Sequence, residues 1–207
     1  MKLRSIVKGA ALAAAAAGIG VAVLRTDEGA ALDRALFSAG NVDAGPATDR
    51  FFLGVTELGS LYASGAATGV LALLGKRREA VRAMTATCVT WALGQAVKKA
   101  IDRPRPYEAD QGSTRFLIAP PRGTSWPSSH PAVLTTFTTV AARELGVGAA
   151  ARAGLGALGL VVAASRVYVG VHYPSDVASG VLMGRAVAVV WPSRAKDATR
   201  SAPARRR

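Results

Sequence analysis

The sequence predicts an all-α protein, a polytopic membrane helical bundle of about six transmembrane helices. Hydrophobic residues make up 50% of the 207 residues and charged residues only 19%, and the mean hydropathy is +0.26. This balance is more apolar than a water-exposed surface needs. Apolar runs of about the length of a membrane crossing recur along the chain. The basic residues gather in alternate segments between those runs, as the positive-inside rule requires of a multi-pass protein.

The first apolar run covers residues 9–24 and follows Lys2, Arg4 and Lys8. This arrangement is typical of either a signal-peptide core or a short first transmembrane helix. The sequence has no clear A-x-A cleavage site followed by a soluble segment. We therefore expect residues 1–25 to be retained as a helix.

Five further helices are expected in residues 26–193, which we predict to form one domain. The segment 27–50 carries five acidic residues and one short amphipathic stretch, LDRALFSA. Residues 51–75 are long enough to span a bilayer as one helix and are interrupted only by Glu57. The remaining apolar runs cover residues 83–97, 131–142, 153–171 and 177–192.

Two segments break this helical pattern. Residues 98–130 contain five prolines and two glycines, which predicts a long loop. Residues 194–207 are basic and are predicted to form a disordered cytoplasmic tail. The single cysteine, Cys88, cannot form an intrachain disulfide and lacks the neighbours of a zinc site, so we expect a buried apolar residue there.

The formal net charge of +13 is mostly explained by membrane orientation. If the N-terminus is cytoplasmic, every predicted inner segment carries lysine or arginine. This distribution removes the main argument for nucleic acid as a partner. The outer loop 98–130 is the exception, because its six basic residues lie on the side where the rule predicts few. Those cations need another explanation.

Three polar clusters fall at this same predicted outer surface. They are KKAIDRPRP at 98–106, PSSHP at 127–131 and SRVYVGVHYPSD at 165–176. From these clusters we select as candidate site residues three cations, both histidines of the chain, one aspartate and two serines: Lys98, Arg105, Arg166, His130, His172, Asp176, Ser128 and Ser129.

These residue types suit phosphoryl chemistry. Three cations, two of them guanidinium forks, can hold a tetrahedral phosphate. His172 can attack phosphorus, and Asp176 can accept a hydrogen bond from one imidazole nitrogen and leave the other free. His130 can protonate the leaving oxygen and then activate water. Ser128 and Ser129 add donors at a helix N-terminus. We expect neither a metal nor a cofactor, because the cations already stabilise the charge.

On these residues the chain resembles the type 2 phosphatidic acid phosphatase (PAP2) superfamily, whose pattern is K-x6-R-P, then P-S-G-H, then S-R-x5-H-x3-D. The matching residues are Lys98, Arg105 and Pro106, then Pro127, Ser128 and His130, then Ser165, Arg166, His172 and Asp176. The resemblance covers roughly residues 30–192. It implies that His172 is the nucleophile, Asp176 its partner and His130 the general acid. It also implies that the phosphate is held by Lys98, Arg105, Arg166, Ser128 and the Ser129 amide.

Some residues of these clusters stand outside the family pattern. Ser129 replaces the glycine of P-S-G-H, which would allow a positive φ, and we expect activity to survive because serine is small and adds a donor. Arg103 is out of register with the first motif and is expected to be a surface or headgroup cation. Ser125 is expected to be a loop donor with no special role. Tyr173 is expected to anchor the chain at the membrane interface.

The resemblance implies an integral membrane phosphatase that hydrolyses a lipid phosphate at the extracytoplasmic face of the cell membrane. Candidate substrates are phosphatidic acid, phosphatidylglycerophosphate, a polyprenyl phosphate or diphosphate, and a polyprenyl-linked sugar phosphate. The expected partners are therefore this lipid phosphate and the bilayer. Two alternatives stay open: a lipid-linked phosphotransferase, which differs only in the acceptor that it admits, and a non-catalytic phospholipid-binding membrane protein.

Overall fold

The computed structural model describes residues 3–193, and in this part of the chain all regular structure is helical. The helices are α1 (Leu3–Arg25), α2 (Asp27–Gly40), α3 (Pro46–Thr56), α4 (Leu61–Leu73), α5 (Arg77–Ala100), α6 (Pro106–Ala109), α7 (Ser129–Glu144), α8 (Ala149–Tyr168) and α9 (Pro174–Val190). The prediction of an all-α fold is confirmed. The basic tail predicted at 194–207 lies outside the described residues.

The first helix lies antiparallel to the last one. Gly9, near the start of α1, lies against Val190 at the end of α9. Further along, the carbonyl of Ala16 accepts a hydrogen bond from Ser179 Oγ at 3.3 Å. The apolar run predicted over 9–24 is therefore part of a helix that packs on the rest of the bundle.

The prediction of one continuous helix over 51–75 is wrong. α3 ends at Thr56, a 3₁₀ turn covers Glu57–Gly59, and α4 begins after Ser60. Ser60 has extended backbone (φ −76°, ψ 156°), and its hydroxyl accepts a hydrogen bond from the Ala63 amide at 3.0 Å, which caps α4. Hydropathy does not reveal this break, because the residues on both sides of it are apolar.

Two glycines bring α7 and α9 into close, parallel contact. A Cβ atom at Gly180 or Gly184 would collide with the carbonyl oxygen of Ser128 or Ala132, respectively. Thr136 Oγ1 also donates to the Gly184 carbonyl, at 3.2 Å. Small residues thus allow backbone contact between helices, as is common in membrane bundles. The parallel contact places the first turns of both helices at the same end of the bundle.

The ends of α5, α8 and α3 meet these first turns. Lys98, near the end of α5, donates to the carbonyl of Ser125, which lies just before α7. Arg166, near the end of α8, donates to Thr56 Oγ1 at the end of α3. The segment 101–128, which contains α6, connects α5 to α7 at this end of the bundle.

The outward faces of several helices are apolar. Tyr62 and Leu73 of α4 are 91% and 90% exposed, and Leu160 of α8 is also exposed. In the described part of the chain, α1 and α8 are each long and apolar enough to cross a membrane, judged by length and composition. Cys88 is exposed on α5, so the expectation that it is buried is wrong.

Candidate active site

The eight candidate residues come from five segments that meet at one end of the bundle. Lys98 lies on α5, Arg105 in the loop after it, Ser128, Ser129 and His130 at the start of α7, Arg166 on α8, and His172 and Asp176 on either side of the start of α9. Backbone hydrogen bonds join these segments directly. The Ser128 amide donates to the Asp176 carbonyl at 3.0 Å, and the His172 amide donates to the Arg166 carbonyl at 3.2 Å.

The turn between α8 and α9 positions His172. Gly170 has a φ of +83°, in the left-handed region that glycine adopts without steric cost. A Cβ atom at this position would also collide with the carbonyl of Arg115. The chain can therefore reverse over the end of α8 and bury His172, which is 3% exposed.

The hydrogen-bond partners of His172 define its tautomer. Arg105 Nη1 lies 3.3 Å from His172 Nε2. A guanidinium group can only donate, so Nε2 accepts and the ring proton is on Nδ1. Nδ1 lies 3.5 Å from Asp176 Oδ2. Burial lowers the pKa of His172 well below its ordinary value of 6.5, and the cations Arg105, Lys98 and Arg166 lower it further, so the imidazole is neutral at pH 7.

The first turn of α9 fixes the carboxylate of Asp176. Asp176 Oδ2 accepts a hydrogen bond from the Tyr173 amide at 2.8 Å, which caps the helix N-terminus. The same oxygen accepts from Ser125 Oγ at 2.5 Å. Ser125 Oγ also lies 3.4 Å from His172 Nδ1. The expectation that Ser125 has no special role is therefore wrong, because this buried hydroxyl contacts both residues of the His–Asp pair.

Two of the three candidate cations donate to backbone carbonyls, in the loop before α7 and in the turn before α9. Lys98 Nζ donates to the carbonyl of Thr124 at 2.5 Å. Arg105 Nε donates to the carbonyl of Gly123 at 2.9 Å, and its Nη1 donates to that of Val171 at 3.0 Å. These contacts hold both cations beside the imidazole of His172.

No carboxylate pairs with the side chains of Lys98, Arg105 and Arg166. They are 8%, 2% and 2% exposed, and none of them forms an ion pair within residues 3–193. Unpaired buried charge is costly. In addition, Arg166 Nε and Ser128 Oγ are buried without a hydrogen-bond partner. Charge and free hydrogen-bonding groups together indicate a site for an anion with several acceptor oxygens.

The start of α7 places Ser129 and His130 next to this cation group. Ser129 is the first helical residue, and no non-glycine residue from 3 to 193 has a positive φ, so this position does not require glycine. Ser129 Oγ accepts a hydrogen bond from Gln95 Nε2 at 3.4 Å. His130 is half-buried against the 3₁₀ turn, where a Cβ atom at Gly59 would lie 2.9 Å from His130 Cβ. The 3₁₀ turn between α3 and α4 therefore forms a further wall of the site.

The expectation that Arg103 is a surface or headgroup cation is wrong. Arg103 is 7% exposed and forms ion pairs with Asp176 Oδ1 at 2.5 Å and Asp33 Oδ2 at 2.6 Å. Its guanidinium carbon lies 4.4 Å from the ring centroid of Tyr173, which is itself buried and not an interfacial anchor. Asp33 also accepts hydrogen bonds from the amide and hydroxyl of Ser175, at 2.9 and 2.5 Å. Arg103 thus connects α2 to the carboxylate behind His172.

An aspartate of the acidic segment 27–50 pairs with another cation of the loop 98–130. Arg115 forms an ion pair with Asp49 at 2.5 Å. The side chain of Asn41, at the end of α2, accepts from the Arg115 amide and donates to the carbonyl of Tyr168, both at 2.8 Å. These contacts connect the loop 98–130 to the end of α8, next to the turn that carries His172.

No group of three His, Cys, Asp or Glu side chains suited to a metal ion occurs among the described residues. The side chains that meet at this site are a neutral imidazole, a second histidine, a carboxylate and three cations. An imidazole nitrogen beside buried cations is suited to attack on a phosphate group.

The sequence of this chain also matches a known protein family and several curated relatives. The pattern of the PAP2 superfamily matches residues 79–200. Decaprenylphosphoryl-5-phosphoribose phosphatase of Mycobacterium tuberculosis is 35% identical over 128 residues, which are 60% of this chain and 66% of that protein. The protein of the same name from Mycolicibacterium smegmatis is 33% identical over 115 residues, which are 56% of this chain and 59% of that protein. The chain thus matches 59–66% of the length of these curated relatives, which is less than two thirds.

Two solved structures share the fold. LpxE of Aquifex aeolicus is 26% identical and superposes with a TM-score of 0.69 over 77% of this chain and 93% of its own. A transmembrane PAP2-type phosphatidylglycerolphosphate phosphatase of Bacillus subtilis superposes with a TM-score of 0.76 over 96% of this chain and 99% of its own. At 20% identity, the second comparison establishes the fold alone.

Proposed function

Because the chain belongs to the PAP2 superfamily, we propose that it is an integral membrane phosphatase that hydrolyses a lipid phosphate monoester or diphosphate through a phosphohistidine intermediate. The observation that carries this proposal is the group of three buried cations without carboxylate partners beside a neutral His172. A substrate phosphate would supply the missing negative charge.

In the first step, His172 Nε2 attacks phosphorus and forms a P–N bond while the P–O bond to the lipid breaks. His130 donates a proton to the leaving oxygen, so the lipid departs as an alcohol or, from a diphosphate, as a monophosphate. In the second step, water attacks phosphorus, His130 takes a proton from it, and the P–N bond breaks. Inorganic phosphate leaves, and both histidines return to their starting states.

The cations stabilise the charge on the equatorial phosphoryl oxygens in both steps. We assign this role to Lys98, Arg105 and Arg166, with the Ser128 hydroxyl and the Ser129 amide as further donors. The free Nε of Arg166 and the free hydroxyl of Ser128 support this assignment. Lys98 and Arg105 would exchange loop carbonyls for phosphate oxygens, which are stronger acceptors.

Asp176 holds the proton of His172 on Nδ1 and stabilises the positive charge that the ring gains on phosphorylation. Ser125 and Arg103 act on this carboxylate and have no direct contact with the imidazole Nε2 that attacks. We therefore assign them as positioning residues.

The substrate that the comparisons favour is a polyprenyl-linked sugar phosphate, because two mycobacterial relatives carry the name decaprenylphosphoryl-5-phosphoribose phosphatase. Six helices, α1, α4, α5, α7, α8 and α9, would span the bilayer, with residues 26–193 as the phosphatase domain and 1–25 as the first span. The basic residues at the opposite end from the site support an extracytoplasmic active site.

Phosphate release by the purified protein in detergent tests this proposal. The panel comprises phosphatidic acid, phosphatidylglycerophosphate, polyprenyl diphosphate and a polyprenyl-linked phosphoribose, each with EDTA. We expect release that persists in EDTA and is abolished by His172→Ala. Chase of a radiolabelled phosphoenzyme into either water or an added lipid alcohol separates hydrolase from transferase. A folded protein that releases phosphate from none of them would favour the binding-protein alternative.

Adjacent lysines provide a matched control. Lys98 is buried in the site and Lys99 is exposed. Lys98→Ala should reduce kcat/KM by about 100-fold, as expected for loss of one charge-stabilising donor, and Lys99→Ala should leave it within about twofold. Equal losses in both variants would contradict the assigned phosphate site.

A further inference from the structure

A groove of about 660 Å³ lies between α7, α8 and α9, away from the candidate active site. Its walls are formed mostly by small and apolar residues, including Gly156, Leu160 and Val181. Three arginines from three different helices also line it: Arg143, Arg152 and Arg185. No aspartate or glutamate is among its lining residues.

The three arginines lie toward the end of the bundle opposite to His172. Arg143 is next to the last residue of α7, Arg152 is in the first turn of α8, and Arg185 is in the last two turns of α9. Thr135 and Leu160 also line the groove, each eight residues from an arginine of the same helix. At 1.5 Å per residue, the groove extends about 12 Å from the arginines toward the middle of the bundle. This is close to one leaflet of the hydrocarbon core, about 15 Å.

Arg185 is the unexplained residue of this groove. It is exposed on an apolar helix that we propose to span the bilayer, and it forms no hydrogen bond or ion pair with residues 3–193. Orientation by the positive-inside rule requires cations in the loops, not within the span. By contrast, Arg143 Nη1 donates to the Ala188 carbonyl at 2.9 Å, and its Nε pairs with Glu144 Oε1 at 3.4 Å. A cation inside a span marks a binding site in many membrane proteins.

We propose that this groove binds an anionic phospholipid of the cytoplasmic leaflet, with the headgroup phosphate on the three arginines and one acyl chain along the apolar wall. The charge of the groove selects the anion, and its length matches one leaflet. This site goes beyond the proposed catalysis, because it lies at the other end of the bundle and the bound lipid is not hydrolysed.

Thermal unfolding of the full chain in neutral detergent tests the proposal. The two probes are dioleoyl-phosphatidylglycerol and dioleoyl-phosphatidylcholine, which have the same acyl chains and differ in net charge. We expect only the anionic lipid to raise the Tm, and Arg185→Gln to weaken its apparent affinity about tenfold. The control Lys76→Gln, which removes an exposed cation of the same predicted face, should keep the wild-type response.

A second pair of variants tests the acyl-chain path. Gly156 lines the groove and Gly154 does not, and a Cβ atom at either position would have no neighbour within 4 Å. Gly156→Leu should abolish the Tm shift by filling the groove, and Gly154→Leu should retain it. All measurements are repeated with His172→Ala, so that a failure of the proposed catalysis does not affect the result.

Three results would overturn the proposal. The first is an equal Tm shift from both lipids, and the second is a wild-type response in Arg185→Gln. The third is a stable dimer in light scattering that Gly156→Leu dissociates, because a second copy of the chain would then occupy the groove.

Discussion

The two sides of the candidate site differ in whether their buried cations have carboxylate partners. On the paired side, which consists of Asp33, Arg103, Ser175 and Asp176, the guanidinium bridges two carboxylates at 2.5 and 2.6 Å. On the unpaired side, which consists of Lys98, Arg105 and Arg166, no cation has a carboxylate partner among residues 3–193. Arg103 and Arg105 are only two residues apart. Paired charge is compensated within the fold, so that removing one partner is costly, and unpaired charge is available to a ligand.

Between the two sides, the larger effect on activity is expected from removing charge on the unpaired side. Arg105→Ala should lower kcat/KM by about 10²–10³-fold, because one donor to the developing phosphoryl charge is lost. The free energy of unfolding should change by less than about 1 kcal/mol, since relief of repulsion from Lys98 and Arg166 offsets the lost carbonyl contacts. Steady-state kinetics and thermal unfolding measure the two effects. The exposed Arg122 provides the control Arg122→Ala, for which neither quantity should change.

Removing the cation of the paired side should act mainly on stability. Arg103→Ala leaves two buried carboxylates without their partner and should lower the free energy of unfolding by about 3–5 kcal/mol. Adding Asp33→Asn to this variant should restore part of the loss, because one uncompensated charge is then removed.

Arg103→Lys distinguishes positioning from substrate binding. A lysine keeps the charge but cannot bridge both carboxylates as the planar fork does. We expect kcat to fall about tenfold with KM unchanged, because Asp176 is displaced behind His172. A higher KM with unchanged kcat would instead place Arg103 on the headgroup, as the sequence alone suggested.

The cations of the unpaired side should also make the free energy of unfolding depend on pH. The pKa of folded His172 lies well below the unfolded value of about 6.5, so the unfolded chain binds more protons as pH falls through that value. The titration of His172 therefore leaves the free energy of unfolding unchanged above about pH 6.5. Below that pH it lowers the free energy of unfolding by up to about 1.4 kcal/mol per pH unit.

Thermal unfolding from pH 7.5 to 5 measures this slope, and His172→Gln should reduce it. Vanadate, a phosphate mimic, should also reduce it in the wild type, because an anion among the cations raises the pKa of His172. An unchanged slope with saturating vanadate would contradict the proposed anion site.

The two sides also differ in how far the sequence predicts their residues. The sequence predicts Lys98, Arg105, Arg166 and His172 because phosphoryl chemistry needs those residue types and they fall in polar clusters at the ends of apolar runs. Asp33 and Arg103 were missed because they are 70 residues apart, and no spacing links them to Asp176. In the sequence, neither residue can be distinguished from the other charged residues of its polar segment.

The helices likewise include features that the sequence predicts and features that it does not. Apolar runs gave the all-α class and most of the helices, because burial and the membrane both require them. The break at Glu57–Gly59 was missed because Ser60 and Gly59 act through a cap and a close contact, which leave hydropathy unchanged. Ser125 was missed because only the fold places its hydroxyl on Asp176.

The smallest effect is expected where the chain departs from the family pattern. Ser129 already has the backbone that the first residue of α7 requires, and its weak contact is with Gln95 at 3.4 Å. Ser129→Gly should therefore change kcat/KM by less than about threefold and lower the free energy of unfolding by less than about 1 kcal/mol. Its neighbour Ser128 is buried with a free hydroxyl, so Ser128→Ala should cost at least about tenfold in kcat/KM, since that hydroxyl is assigned to phosphate. A large gain from Ser129→Gly would mean that serine limits the wild-type reaction, and the non-catalytic lipid-binding alternative would then gain support.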